Sequence, residues 1–334
     1  MNIRHSAPVL AALVISGVAA CGSGSAQQSP WAAGGRQAQT TPAQQGVVAP
    51  AEAKGILDRY EKLTDQAVLQ GKGWEAAEAA LSLQQTKADQ RLKAMIGNRS
   101  TNPMEIRKTR FTIPRSGGAN PPWFLAEFTK KGSKSWTQVI FQKTAQGWRV
   151  VASSFTDSTM KTPAIAKDRD GLATALPVDE RGTLALSPRQ AAQSHVRLIA
   201  TAGADPRARQ TIAPGAFTTE TADFVAAERK GMRGQWNVRY QLKLVPEIFA
   251  LKTSTGGALI WYGALQGDSF IARPGNTLTA SFDDRETAAL SHGKTFKKRV
   301  KRNSATSYLA VIPPSRGKVR VINEWFSLLT ITGS

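Results

Sequence analysis

Cysteine and histidine are nearly missing from this chain. One cysteine, Cys21, and three histidines, His5, His195 and His292, stand among 334 residues. A single cysteine excludes an intrachain disulfide and a multi-thiolate metal site, and its place near the N-terminus takes away a cysteine nucleophile within the folded part. No two histidines lie within one helical turn, so no local imidazole pair is offered to a metal. His195, on the apolar face of an expected helix, reads as a core residue. Acidic residues are scarce, with 24 Asp and Glu against 44 Lys and Arg and a formal charge of +20. There is no Gly-x-Ser-x-Gly, no phosphate-binding P-loop and no dinucleotide fingerprint. Thr255-Gly256-Gly257 comes nearest to a glycine-rich loop and reads as a turn. Asp283-Asp284-Arg285-Glu286 is the densest acidic cluster, and with Arg285 inside it reads as a solvated loop. No catalytic residue, metal or cofactor is expected, and the chain is not read as an enzyme. Long hydrophobic runs are missing too. The longest spans residues 7–20, short of the roughly 20 residues needed to cross a bilayer as a helix.

What that short run does supply is an address. Arg4 and His5 open the chain, the apolar stretch follows, and small residues lead into Cys21 and then Gly22-Ser23-Gly24-Ser25. This order of basic start, apolar middle and small-residue cut is that of a secretory signal peptide over residues 1–20. Val18 and Ala20 would also suit an ordinary signal peptidase, but that would leave an unpaired thiol in an oxidising compartment. Val18-Ala19-Ala20-Cys21 resembles the lipobox of bacterial lipoproteins, with Val18 where leucine is commonest. The resemblance implies cleavage before Cys21 and a diacylglyceryl thioether on it. Two acyl chains, at about 0.8 kcal/mol per buried methylene, anchor stably where one binds transiently. The expected location is the extracytoplasmic face of the cell membrane.

Residues 21–47 read as the lipidated cysteine and a flexible tether. Ser, Gly, Gln, Thr, Ala and Pro dominate, Arg36 is the only charge and Trp31 the only aromatic, too little apolar area to offset the entropy of ordering.

The folded part is expected to be α+β, in two tandem domains, each of helices packed on a curved antiparallel sheet. The first, residues 48–165, opens with Ile56, Leu57, Tyr60, Leu63 and Ala67 at helical spacing, and a second helix is expected from Trp74 to Met95. Four short strands follow, over residues 107–115, 123–130, 136–143 and 148–155, divided by glycine turns in the manner of a β-meander. Residues 166–183, with the charged turn Lys167-Asp168-Arg169-Asp170-Gly171, read as a linker. The second domain, residues 184–334, repeats the order. Ser187, Pro188 and Gln190 form a helix start of capping-box type, and Ala191, Ala192, His195, Val196 and Ile199 make its apolar face. Trp236, Val238, Tyr240, Leu242 and Leu244 then alternate with Asn237, Arg239, Gln241 and Lys243, a strand with one dry and one wet face. Residues 258–265, 276–282, 307–312 and 318–331 complete the expected strands.

Helices on one face of a curved antiparallel sheet, twice over, resemble the cystatin-like and nuclear-transport-factor-like folds. Phe111-Thr112-Ile113-Pro114-Arg115 and Pro121-Pro122-Trp123-Phe124-Leu125-Ala126 also resemble actinobacterial secreted lipoproteins of an uncharacterised family. That likeness implies an envelope protein and brings no catalytic residue with it.

One run stands out by charge: Lys297-Lys298-Arg299-Val300-Lys301-Arg302. Behind a signal peptide, and with no aromatic stacking platform beside it, it does not point to nucleic acid. It reads either as a solvated strand end or as a contact for anionic envelope material, lipid headgroups or cell-wall polymers, through Lys297, Lys298, Arg299, Lys301 and Arg302. Residues 48–165 carry a net +8 and residues 184–334 a net +11, so the run adds to a general bias. The expected function is a membrane-anchored, non-enzymatic binding or scaffolding lipoprotein. The alternative is a small-ligand binder or hydrolase using the concave face of one sheet, lined by Trp236, Tyr240, Trp261 and Tyr262.

Overall fold

The structure, a computed structural model, describes residues 45–99, 101–117, 121–157, 159–276, 279–282 and 284–334. The signal peptide, Cys21 and the tether up to residue 44 lie outside the described residues. The fold is α+β with two antiparallel sheets, and Gln44–Ser334 pack as one compact unit.

Helix α1, Pro50–Gln70, starts on a proline and stops at Gly71, whose φ of 69° is the left-handed closure that glycine adopts without strain. It buries Ala53, Leu57, Tyr60 and Ala67. The second expected helix is shorter than its apolar pattern, beginning only at α2, Ala80–Met95. The preceding residues pair instead with a sheet strand: Ala79 donates to the Val150 carbonyl at 2.8 Å and Val150 donates to Ala77 at 3.0 Å. Strands β1 (Ile106–Thr112), β2 (Trp123–Lys130), β3 (Trp136–Thr144) and β4 (Gly147–Thr156) form the first sheet, a meander in chain order.

The second region begins with α3, Pro188–Ala200, closed at its start by the reciprocal Ser187–Gln190 capping box that the sequence signalled. Two helices follow, α4 (Pro206–Thr211), capped by Asp205, whose carboxylate accepts from the Ala208 amide at 3.0 Å, and α5 (Thr221–Met232), which has no side-chain cap. Strands β5 (Trp236–Leu244) and β6 (Phe249–Lys252) pair with successive parts of one edge of β7 (Ala258–Ala272). Strands β8 (Arg299–Ile312) and β9 (Arg320–Gly333) complete the second sheet. Strand β7 runs seven residues past the expected end at Leu265, and β8 starts eight residues before Ser307. The strand expected over 276–282 does not form. Its described part makes one isolated bridge, Ala280 to Phe296, and leads into α6, Arg285–Ser291.

Burial is continuous along most of β2, the first half of β7 and the second half of β8, because both faces of the sheets are covered there. Along β2, Phe124, Ala126 and Phe128 pack with Leu57 and Tyr60 of α1. Trp123 and Leu125 point the other way, towards the second sheet. Along β7, Ile260 and Tyr262 pack with Ala192 and Val196 of α3, while Leu259 and Trp261 face the first sheet. The layers therefore run α1, first sheet, second sheet, then α3 to α5. Between the sheets, Trp123 meets Phe249 edge-on at 5.2 Å. The Trp261 indole N–H points at Gln138 Oε1 (3.3 Å) and Ser154 Oγ (3.1 Å).

Helix α2 wedges between the sheets. Gln85 donates to the Trp325 carbonyl at 2.7 Å and accepts from Ser307 at 2.6 Å, while Ser82 lies 3.3 Å from Ser153 of the first sheet. Gly263 makes the approach of α2 possible, since a Cβ there would lie 2.1 Å from Leu81 Cδ2. The segment read as a linker lies across both sheets. Ala173 bridges to Pro114, Ala175 bridges to Leu251, and both alanines are buried.

Candidate functional site

The alternation of β5 builds the site. Its dry residues, Trp236 and Tyr240, are buried, and its wet residues, Asn237, Arg239, Gln241 and Lys243, are exposed. Register then decides which residues of the neighbouring strands share the wet face. Arg239 pairs with Ser269, Ser269 with Lys301, and Lys301 with Thr332. One row away, Asn237, Ile271 and Arg299 line up; on the other side, Gln241, Gly267, Asn303 and Thr330 do. Arg239, Lys243, Arg299 and Lys301 thus stand on one open sheet face. These rows hold no carboxylate, and none of the four cations is ion-paired among the described residues.

Strands are about 4.8 Å apart and alternate residues about 7 Å apart, so Arg239 and Lys301 lie about 10 Å from each other and Lys301 and Arg299 about 7 Å. Arg239, Arg299 and Lys301 therefore fall within roughly one Debye length of one another at 0.1 M salt and present one positive field, and Lys243 extends it about 14 Å further along β5. Asn303, whose amide donates to Thr330 Oγ1 at 2.8 Å, and Gln241 add polar groups to the same surface.

The basic run does not lie on one face. Lys297 and Lys298 are exposed ahead of β8, and Arg299 and Lys301 are exposed on its open face. Arg302 turns inward. Its side chain is 16% exposed and bridges Asp268 at 2.8 Å and Glu228 of α5 at 3.3 Å. Gln266 completes the cluster with a 2.8 Å hydrogen bond to Asp268. Burial pushes both carboxyls up against the pull of Arg302. Arg239 and Lys243 were not singled out by charge density, and their signal was the strict alternation of residues 236–244.

Several buried polar groups serve the interior. His195 is fully buried. Its Nε2 donates to the Phe217 carbonyl at 2.7 Å and its Nδ1 accepts from Tyr262 OH at 2.8 Å, which fixes a neutral imidazole. Burial lowers its pKa to about 4. Trp236, Tyr240, Trp261 and Tyr262, the residues offered for a ligand concavity, are all core. Glu78, which drew no attention in the sequence, lies buried between α1, α2 and β4. It accepts from Ser82 at 3.0 Å and faces Tyr60 OH at 3.5 Å. Burial raises its pKa to about 7, against hydrogen bonds from Thr86, Ser82 and Tyr60. Asp284 caps α6 by accepting from the Thr287 amide at 3.0 Å, and Asp283 lies outside the described residues. No group of three or more potential metal ligands converges among the described residues.

Residues 44–332 match the family described as Domain of unknown function (DUF8094). The chain belongs to that family. Two uncharacterised lipoproteins of Streptomyces coelicolor are similar to it. One is 24% identical over 262 residues, covering 74% of this chain and 73% of the relative. The other is 23% identical over 232 residues, covering 68% and 67%. No solved structure matches the chain.

Proposed function

We propose that this DUF8094 protein is a lipid-anchored lipoprotein of the extracytoplasmic membrane face. It holds anionic envelope groups on the open face of its second sheet and performs no chemistry on them. The observation that carries the binding role is the carboxylate-free face with Arg239, Lys243, Arg299 and Lys301. Arginine forks suit phosphate and carboxylate oxygens, and lysines add mobile point charges. The anchor rests on Cys21 in its lipobox-like setting and agrees with the names of the Streptomyces relatives. No helix among the described residues is long and apolar enough to cross a membrane. Each half, helix first and meander after, is read as a cystatin-like or nuclear-transport-factor-like unit.

The shared ligand chemistry is a phosphate or carboxylate in a repeated array, as a lipid headgroup or a wall polymer presents it. The test compares residues 21–334 carrying Cys21→Ser with the same chain in which Arg239, Lys243, Arg299 and Lys301 are all replaced by Gln. Both are titrated with anionic vesicles and with soluble polyphosphate across a salt series. At about 1 kcal/mol per cation near an anionic surface, the four replacements weaken binding by up to about a thousandfold at low salt. The gap closes as the Debye length shrinks from about 10 Å at 0.1 M to 3 Å at 1 M. Preference for vesicles assigns lipid, and preference for polyphosphate assigns a polymer. Equal affinity of the two proteins at every salt concentration overturns the reading. For the anchor, Cys21→Ser in the native host leaves the membrane fraction or accumulates as unprocessed precursor. A processed, membrane-bound Cys21→Ser protein refutes the lipid.

A further inference from the structure

A second basic feature lies at the opposite end of strand β8, where the chain leaving the first sheet passes the β8–β9 turn. A cavity of about 390 Å³ opens there, within the range of about 300–1,000 Å³ usual for small-molecule sites. Its walls combine two chemistries. Val311 and Pro314 supply an apolar floor, and three cations come from two segments, Lys161 from the chain after the first sheet and Lys318 with Arg320 from around the start of β9. No carboxylate lines it. The Lys318 ammonium gives one hydrogen bond, at 3.0 Å, to the Arg209 carbonyl, which leaves two N–H donors for another acceptor. Thr162, also in the wall, has a buried hydroxyl with no partner among the described residues.

We propose that this cavity binds a small amphiphilic anion, a carboxylate or phosphate monoester on a short apolar body. The head group meets Lys161, Lys318 and Arg320, and the body lies on Val311 and Pro314. An inorganic anion leaves the apolar floor wet, and a neutral alcohol leaves the cations unmatched, so the combination selects for a molecule with both parts. The site is independent of the open sheet face.

The experiment uses residues 21–334 carrying Cys21→Ser, titrated by calorimetry with octyl phosphate, octanoate, octanol and inorganic phosphate. Octyl phosphate and octanoate bind saturably with one site, while octanol and inorganic phosphate bind at least about tenfold more weakly. Replacing Lys161 and Arg320 together by Gln weakens the alkyl anions by about tenfold or more. Replacing Arg239 and Lys301 by Gln weakens anion binding to the sheet face and leaves the saturable one-site binding of the alkyl anions in place, which separates the two sites. Thermal melting of each variant establishes that it is folded. Inorganic phosphate binding as tightly as octyl phosphate, undiminished binding to the Lys161→Gln/Arg320→Gln protein, or no saturable binding of either alkyl anion overturns the proposal.

Discussion

Replacing Arg302 by Gln separates the structural half of the basic run from its surface half. Among the described residues, Arg302 is the only cation in direct contact with Asp268 and Glu228, at 2.8 and 3.3 Å, and the side chains of those two carboxylates are 1% and 5% exposed. Removing it leaves two buried carboxyls without their ion-pair partner, and breaking a buried pair in this way costs about 3–5 kcal/mol. For the compact unit Gln44–Ser334, an unfolding entropy of about 2.1 cal/mol/K per residue gives about 0.6 kcal/mol/K, so the melting temperature falls by about 5–8 °C. Lys301→Gln, one residue away on the exposed face, stays within about 0.5 kcal/mol of the parent. The pH dependence follows from the same geometry. Burial already raises both carboxyl pKa values, so the folded state takes up protons before the unfolded state does. The deficit of Arg302→Gln therefore shrinks as the pH falls and the two carboxyls become neutral. Differential scanning calorimetry at pH 5 and pH 8 measures this, and vesicle titration measures the surface role. An Arg302→Gln protein that melts with the parent but loses anion binding as Lys301→Gln does would refute the inward assignment.

Glu78→Gln stabilises the protein at alkaline pH. With a pKa of about 7 in the fold and an ordinary value near 4.3 outside it, the neutral carboxyl stabilises below about pH 4.5 and that contribution is lost as the pH rises through 7. The melting difference between Glu78→Gln and parent grows from near zero at pH 4.5 to a few degrees at pH 8, and a pH-independent difference counts against the buried carboxyl. Gly263→Ala places a Cβ 2.1 Å from Leu81 Cδ2 and 3.0 Å from the Thr306 carbonyl. It costs about 1–3 kcal/mol by overpacking, and urea denaturation should show part of that loss restored by Leu81→Ala in the same chain. We also propose that the regions 48–165 and 184–334 unfold together, because Trp123, Leu125, Leu259 and Trp261 share one core across the sheets. Limited proteolysis with mass spectrometry then yields one resistant fragment starting near residue 45, whereas early cutting within 166–183 would show two independently folding domains.

Local signals in the sequence were enough for the elements whose ends are made by local chemistry. The start of α3 is one such case, since Ser187, Pro188 and Gln190 satisfy the first amides of the helix without help from elsewhere. The strand β5 is another, because its alternation reports one covered and one open face. Strand β7 was legible only to Leu265. Beyond it come Gln266, Gly267, Asp268 and Ser269, a polar stretch that is strand because Arg302 of β8 neutralises Asp268 across the register. That contact spans 34 residues, and nothing within the segment announces it. Helix α2 starts later than its apolar pattern for a related reason, as Ala77 and Ala79 give their backbone groups to Val150 of β4.

The candidate site was legible as composition but not as geometry. A count of cations along residues 297–302 treats five side chains as equivalent, whereas a strand sends neighbours to opposite faces. Val300 and Arg302 therefore share the covered face, Val300 with Phe270 and Ile331 and Arg302 with Asp268 and Glu228. Arg299 and Lys301 share the open one. The missing members of the surface come from β5, sixty residues earlier, where Arg239 and Lys243 sit far apart in a segment of ordinary charge. What joins them to Lys301 is the single intervening strand β7, which contributes Gly267 and Ser269 and no carboxylate to that face. A substitution at Ser269 therefore addresses the same surface as one in the basic run. Ser269→Asp would set a carboxylate between Arg239 and Lys301, cancelling part of the field without removing a cation.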